Sequence, residues 1–201
     1  MGEKDSFRSD TKYKMADTLK DRIRRALSLR KNQTIVDKGL KPSGVLLPVF
    51  FREEKHHILF TKRTENVEHH KGQISFPGGA YEDGDGALMN TALRETYEEI
   101  GLKGEDVEIL GELDDVVTKT QFIISPFVGL FSYPYKFKTS AVEIDELIEV
   151  PIEALLDKNI FREELCTRKG KPYPVYFYEY NEHVIWGATA KILKQFLDLV
   201  F

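Results

Sequence analysis

FPGGAYEDGDGALMNTALRETYEEIGL, residues 76–102, is the stretch on which the reading of this chain turns. An aromatic and a proline lead into two glycines, then three acidic residues interleaved with two more glycines, then a run with helical spacing. Gly86 to Ile100 reads as a helix, with Asp85 as its N-cap and Gly101 as its stop. At 100° per residue, Glu95, Glu98 and Glu99 fall inside an arc of roughly 100°, beside a face made by Ala92, Leu93, Thr96 and Ile100. The spacing therefore predicts a helix that packs on one side and carries three carboxylates on the other.

Like charges one turn apart destabilise an isolated helix by a few tenths of a kcal/mol, so clustering three of them calls for a compensating charge. A divalent cation supplies it, because hard ions such as Mg²⁺ bind carboxylate oxygens together with substrate phosphates. Arg94 sits one turn before Glu98 and can orient its carboxylate. Glycines let a backbone come close to a ligand where a side chain would obstruct. Gly78 and Gly79 ahead of the acidic helix thus suit a metal-dependent phosphoryl site. Glu82, Asp83 and Asp85 read as turn and cap residues. The competing reading is a solvated acidic face or a protein-docking face, which leaves the glycine stretch unexplained.

Outward from this stretch, β-rich runs occupy 43–51, 57–63, 73–79, 107–118 and 122–131, each bounded by Gly, Pro or charged clusters. A short helix is expected over 150–157, a strand over 174–180 and a closing helix over 188–201. Upstream, Asp17 to Lys31 place Leu19, Ile23, Ala26 and Leu27 at helical spacing among solvated arginines. Residues 1–15 are polar and read as a disordered tail, leaving 16–201 as a single domain. The class is α+β, mixed strands with a few helices packed on them.

With 201 residues, 41% hydrophobic and 31% charged, the chain can bury a proper core. Its net charge of -4 gives no general reason to expect nucleic acid. No apolar run is long enough for a membrane span and the N-terminus lacks a signal-peptide centre, which makes the cytoplasm the expected compartment. Cys166 is the single cysteine and excludes an internal disulfide. The pairs His56–His57 and His69–His70 read as ordinary strand or cleft residues rather than chelates, since neighbours in a strand face opposite ways. Trp186 and the aromatics of 173–180 read as core or edge packing.

Gly79 followed by ALRETYEEIGL (92–102) resembles the Nudix box, with Arg94, Glu95, Glu98, Glu99, Gly101 and Leu102 matching its Arg-Glu-x-x-Glu-Glu-x-Gly tail. Asp85 stands where the box has its early glutamate, one residue further from Arg94 than usual. That spacing is typical of the coenzyme A pyrophosphatase-like branch, whose upstream signature LFTKRTENVEHHKGQISFPGG (59–79) resembles. The likeness extends through 114–129, 143–151 and 185–193. It departs at Glu68, where the branch usually has an arginine.

The resemblance implies an α/β/α sandwich around a mixed β-sheet. It implies hydrolysis of a nucleoside diphosphate derivative with Mg²⁺ or Mn²⁺. Glu95 and Glu99 would be principal metal ligands, Glu98 a further one, and the Gly79 carbonyl another. Family members place the general base variously, and Glu143 outside the box is the candidate here. Phe76, Gly78, Lys62 and Arg63 are the candidate substrate contacts. Coenzyme A is the expected substrate, with ADP-ribose, NADH or an oxidised nucleotide, or a non-catalytic nucleotide-binding module, as alternatives. A homodimer is compatible with the resemblance.

Overall fold

The run VLLPVFF (45–51) is apolar without alternation, as a strand covered on both faces requires. It forms the middle of the computed structural model, which describes residues 19–65, 71–168 and 170–201. The first half comprises α1 (residues 19–28), β1 (Lys41–Arg52), β2 (Lys55–Arg63), β3 (Ile74–Ser75), β4 (Gly78–Ala80) and α2 (Leu88–Ile100). Then follow β5 (Val107–Glu112), β6 (Val116–Val117), β7 (Phe122–Phe131), β8 (Ile144–Pro151) and α3 (Ile152–Leu155). The chain closes with β9 (Phe161–Arg168), β10 (Lys171–Tyr180), β11 (His183–Trp186) and α4 (Gly187–Val200).

The main sheet has eight strands in the order β3-β2-β1-β7-β5, with β4 on β1, β6 on β7 and β8 on β2. It is mixed, because β1 and β7 run parallel while the other pairs are antiparallel. Pro48, which has no N–H to give, falls where β1 leaves β4 at Val45 and has not yet taken β2 at Val49. A second sheet, β11-β10-β9, follows.

Each face of the main sheet has its own core. On one face Leu47, Val49, Ile58 and Phe60 join Ile23 of α1, Leu193 and Phe196 of α4, and Tyr178 and Ile185 of the second sheet. On the other, Leu46, Phe50 and Leu59 pack with Ala92 and Ile100 of α2. Helix, sheet and helix are thus layered, as the α+β sandwich reading expects, with the small second sheet added beside α1 and α4.

Several boundaries differ from the sequence reading. The 107–118 run breaks into β5 and β6, and 73–79 into β3 and β4. β8, β9 and β11 were not anticipated as strands: Asp145, Glu146 and Glu149 within 144–151 hide an edge pairing with β2 that only the tertiary fold supplies. α1 does bury Leu19, Ile23 and Leu27; its Arg24 pairs with Glu108, and Arg30 just after it with Asp114. His56 and His57 lie against Phe51 and Phe50, and burial lowers the His56 pKa to about 4. The expected tail, residues 1–15, lies outside the described residues, as do Glu68, His69 and His70.

Candidate active site

α2 begins at Leu88, with Ala87 as an N-cap that makes no side-chain bond, and ends at Gly101 in the left-handed conformation. Asp85 is therefore not the cap that its position suggested. Its carboxylate receives Arg94 Nε at 2.8 Å and Nη2 at 3.1 Å, the Thr91 hydroxyl at 2.8 Å and the Glu82 N–H at 3.0 Å. Arg94, first among these, holds the Asp85 carboxyl well below the usual carboxylate range. This anchorage went unread because the relevant partner is nine residues away in sequence and joined only by the fold.

Anchored in this way, the Arg94 guanidinium bridges the acidic cluster. Nη1 lies 3.0 Å from Glu95 Oε1 and 3.2 Å from Glu98 Oε2, while Nη2 donates to the Ala80 carbonyl at 3.1 Å. One cation thus ties β4, the loop and two of the three glutamates together.

Glu99 departs from the expected carboxylate face: it is only 3% exposed and belongs to the packed side of α2. There it accepts from Arg63 Nη1 at 3.2 Å and from the Gly78 N–H at 3.2 Å. Burial outweighs both contacts and pushes its pKa from 4.5 up to about 8. Burial also raises the pKa of Glu95.

The two glycines serve close approach. A Cβ on Gly79 would lie 2.3 Å from the Glu95 carboxyl carbon, so the β4 backbone runs directly against that carboxylate. A Cβ on Gly78 would meet the Gly44 carbonyl oxygen at 2.4 Å and Val45 Cα at 2.6 Å, and Gly78 has φ of +149°, which other residues rarely adopt.

Arg63 also reaches Glu143, 3.5 Å from Nη2. The 138–143 segment is stitched between α2 and β2: Lys138 N–H and Ser140 N–H donate to the Ile100 and Glu99 carbonyls, and Thr64 N–H donates to the Glu143 carbonyl. The fold thereby brings together Glu95, Glu98, Glu99, Arg94, Gly78, Gly79, Arg63 and Glu143. It separates two others. Phe76 is 3% exposed and stacks on Phe60 at 4.9 Å, so it is a core residue rather than a substrate contact. Lys62 follows strand alternation to the opposite face of β2, 3.5 Å from Asp145 and 3.7 Å from Glu146.

Among the described residues, no three His, Cys, Asp or Glu side chains converge on one point as a metal centre. All three helix glutamates are paired with arginines, Glu99 with Arg63 and Glu95 and Glu98 with Arg94. The donor set nevertheless fits a hard divalent ion: it is all oxygen, and Glu99 is a buried carboxyl whose single guanidinium partner does not keep it ionised. Arg63 Nε is buried without a partner among the described residues, a donor suited to a phosphate oxygen.

Comparison with known proteins bears on this arrangement. The NUDIX domain family model matches residues 41–164. NudL of Photorhabdus laumondii, an uncharacterized Nudix hydrolase, is 33% identical over 158 residues, which span 79% of this chain and 84% of its own length. NudL of an Enterobacter strain, likewise uncharacterized, is 32% identical over 178 residues, spanning 89% and 92%. Among solved structures, a C. elegans Ap4A hydrolase binary complex superposes with a TM-score of 0.49 at 16% identity over 55% of this chain and 80% of its own. The NUDIX domain of Shewanella oneidensis NrtR complexed with ADP ribose gives 0.46 at 15% identity over 60% and 78%. Since the matched segment runs from β1 into β9 and includes every residue of the cluster, the chain belongs to the Nudix hydrolase family.

Proposed function

We propose that this Nudix hydrolase is a metal-dependent diphosphatase that cleaves coenzyme A or its derivatives into adenosine 3',5'-bisphosphate and 4'-phosphopantetheine. The observation that carries the chemistry is Glu99, a buried carboxyl with a pKa near 8 whose ionisation needs more positive charge than Arg63 provides. Nudix enzymes generally use divalent metals, and Glu95, Glu98 and Glu99 with the Gly79 carbonyl are the proposed ligands of Mg²⁺ or Mn²⁺. Such an ion neutralises a diphosphate and lowers the pKa of a bound water.

The chain's own residues do the rest. Arg94, fixed by Asp85, orients Glu95 and Glu98. Arg63 turns its free Nε toward a phosphate oxygen. Glu143, held beside Arg63, accepts a proton as water attacks one phosphorus, an oxygen–phosphorus bond forms and the bridging bond to the other phosphate breaks.

Coenzyme A is favoured by the 59–79 signature. Glu68 favours a second reading, another nucleoside diphosphate derivative such as ADP-ribose, NADH or an oxidised nucleotide, because it reverses a charge usual in the coenzyme A branch. A binding module without activity fits less well, since the three box glutamates are intact. Comparing kcat/KM for coenzyme A, ADP-ribose and NADH decides between them. Preference for coenzyme A supports the first reading, and preference for either of the others replaces it.

A further inference from the structure

The second sheet presents one face to the core through Tyr178 and Ile185. Its other face carries Val175, Phe177, Val184 and Trp186, and forms the wall of a cavity of about 620 Å³. That volume is within the ~300–1,000 Å³ common for small-molecule sites. The opposite wall is the end of β2 and the strand after it, with Lys62, Gly72 and Ile74, and Lys119 from the β6–β7 turn stands at the rim.

Trp186 is 44% exposed and lines the cavity, so its ring face is available for stacking. Its cross-strand partner Phe177 lies nearly parallel to it, 10° between planes with centroids 6.5 Å apart. Arg162 already sits 4.2 Å over the Phe177 ring, whereas the indole lies open on the cavity wall. Lys62 is held only loosely, at 3.5 and 3.7 Å from Asp145 and Glu146, and Lys119 rests over the Tyr173 ring. The wall is therefore apolar and aromatic, with two ammonium groups at the margin. Cys166, Glu182 and the buried His183 complete the lining, His183 lying 3.5 Å from Glu146.

The cavity lies across β2 from the acidic cluster. Lys62 and Arg63 are consecutive in β2 and point to opposite faces, Lys62 into the cavity and Arg63 to Glu99. The family match ends at residue 164, so the aromatic wall is built by residues beyond it.

We propose that this cavity binds the nucleobase of a nucleotide, stacked on Trp186, with its phosphate at Lys62 and Lys119. The choice of a nucleotide rests on reading the enzyme as one that acts on nucleoside diphosphates. The base is either that of the substrate itself, reaching around the end of β2, or that of a second nucleotide.

Trp186 is the single tryptophan, so its fluorescence reports the site alone. The full chain is titrated without metal with AMP and, separately, with ribose 5-phosphate. Saturable quenching by AMP and none by ribose 5-phosphate is expected. Val184→Glu, at a position already 44% exposed, should weaken AMP binding about tenfold or more. Absence of saturable quenching, equal quenching by ribose 5-phosphate, or an unchanged AMP affinity in Val184→Glu would overturn the proposal. With the site supported, competitive inhibition of hydrolysis by AMP assigns the base to the substrate, and noncompetitive inhibition assigns it to a second nucleotide. Quenching in a protein that hydrolyses no diphosphate would sink the proposed function and leave the cavity standing, while hydrolysis without quenching would do the reverse.

Discussion

Arg63 Nη1 lies 3.2 Å from Glu99 Oε1, and the same guanidinium lies 3.5 Å from Glu143, so one side chain of β2 faces both a buried carboxyl of α2 and the proposed base. Glu99 keeps its proton to about pH 8 in spite of this partner, because it is almost wholly removed from water.

That pairing sets a pH dependence. The unfolded chain releases the Glu99 proton near 4.5 and the folded chain near 8, so between these values only the folded state carries it. Stability contributed by this group is fully present below 4.5 and is lost as pH rises toward 8. Urea denaturation of the metal-free protein should show this loss, on the order of 1 kcal/mol per pH unit, with Glu99→Gln lacking it. An identical pH slope in the variant would refute the assignment.

Metal binding at neutral pH should expel that same proton. Titration calorimetry in buffers of different ionisation enthalpy is expected to show proton release on Mn²⁺ binding near pH 7, diminishing above pH 8. Glu99→Gln should release none.

Gly79→Ala and Gly78→Ala should separate function from folding. The Gly79 Cβ meets the far end of the Glu95 side chain, which can move, so the expected result is a large loss of kcat with the melting temperature nearly kept. The Gly78 Cβ meets backbone at a φ of +149°, and a loss of more than about 1 kcal/mol in stability is expected. Thermal melts beside steady-state rates check both.

Glu143→Gln should lower kcat by roughly 10²–10⁴-fold if Glu143 is the base. Metal affinity should hardly change, because Glu143 reaches the cluster through Arg63. Equal losses of kcat and metal affinity would instead make it a ligand.

Much of this was legible in the sequence, and the reasons differ by element. The β7 strand was read with its observed ends, Phe122 and Phe131, because a long apolar run bounded by turns has few other uses. Family spacing grouped Arg94, Glu95, Glu98 and Glu99, which the fold places side by side, but a helical wheel could not show that Glu99 faces the sheet, since burial of a carboxylate contradicts its type. Phe76 sits within the glycine motif yet stacks on Phe60, a contact set by β2 rather than by its neighbours. β9, mostly exposed, and the four-residue β11 have pairings settled by β10 between them.

The most direct test of the central claim is the rate of coenzyme A hydrolysis, with products resolved by chromatography, for the wild-type protein with Mg²⁺, for the same protein with a chelator, and for Glu99→Gln with Mg²⁺. The account predicts release of adenosine 3',5'-bisphosphate only in the first, with a loss of at least about 100-fold in the variant. Hydrolysis that survives the chelator or the substitution would contradict it.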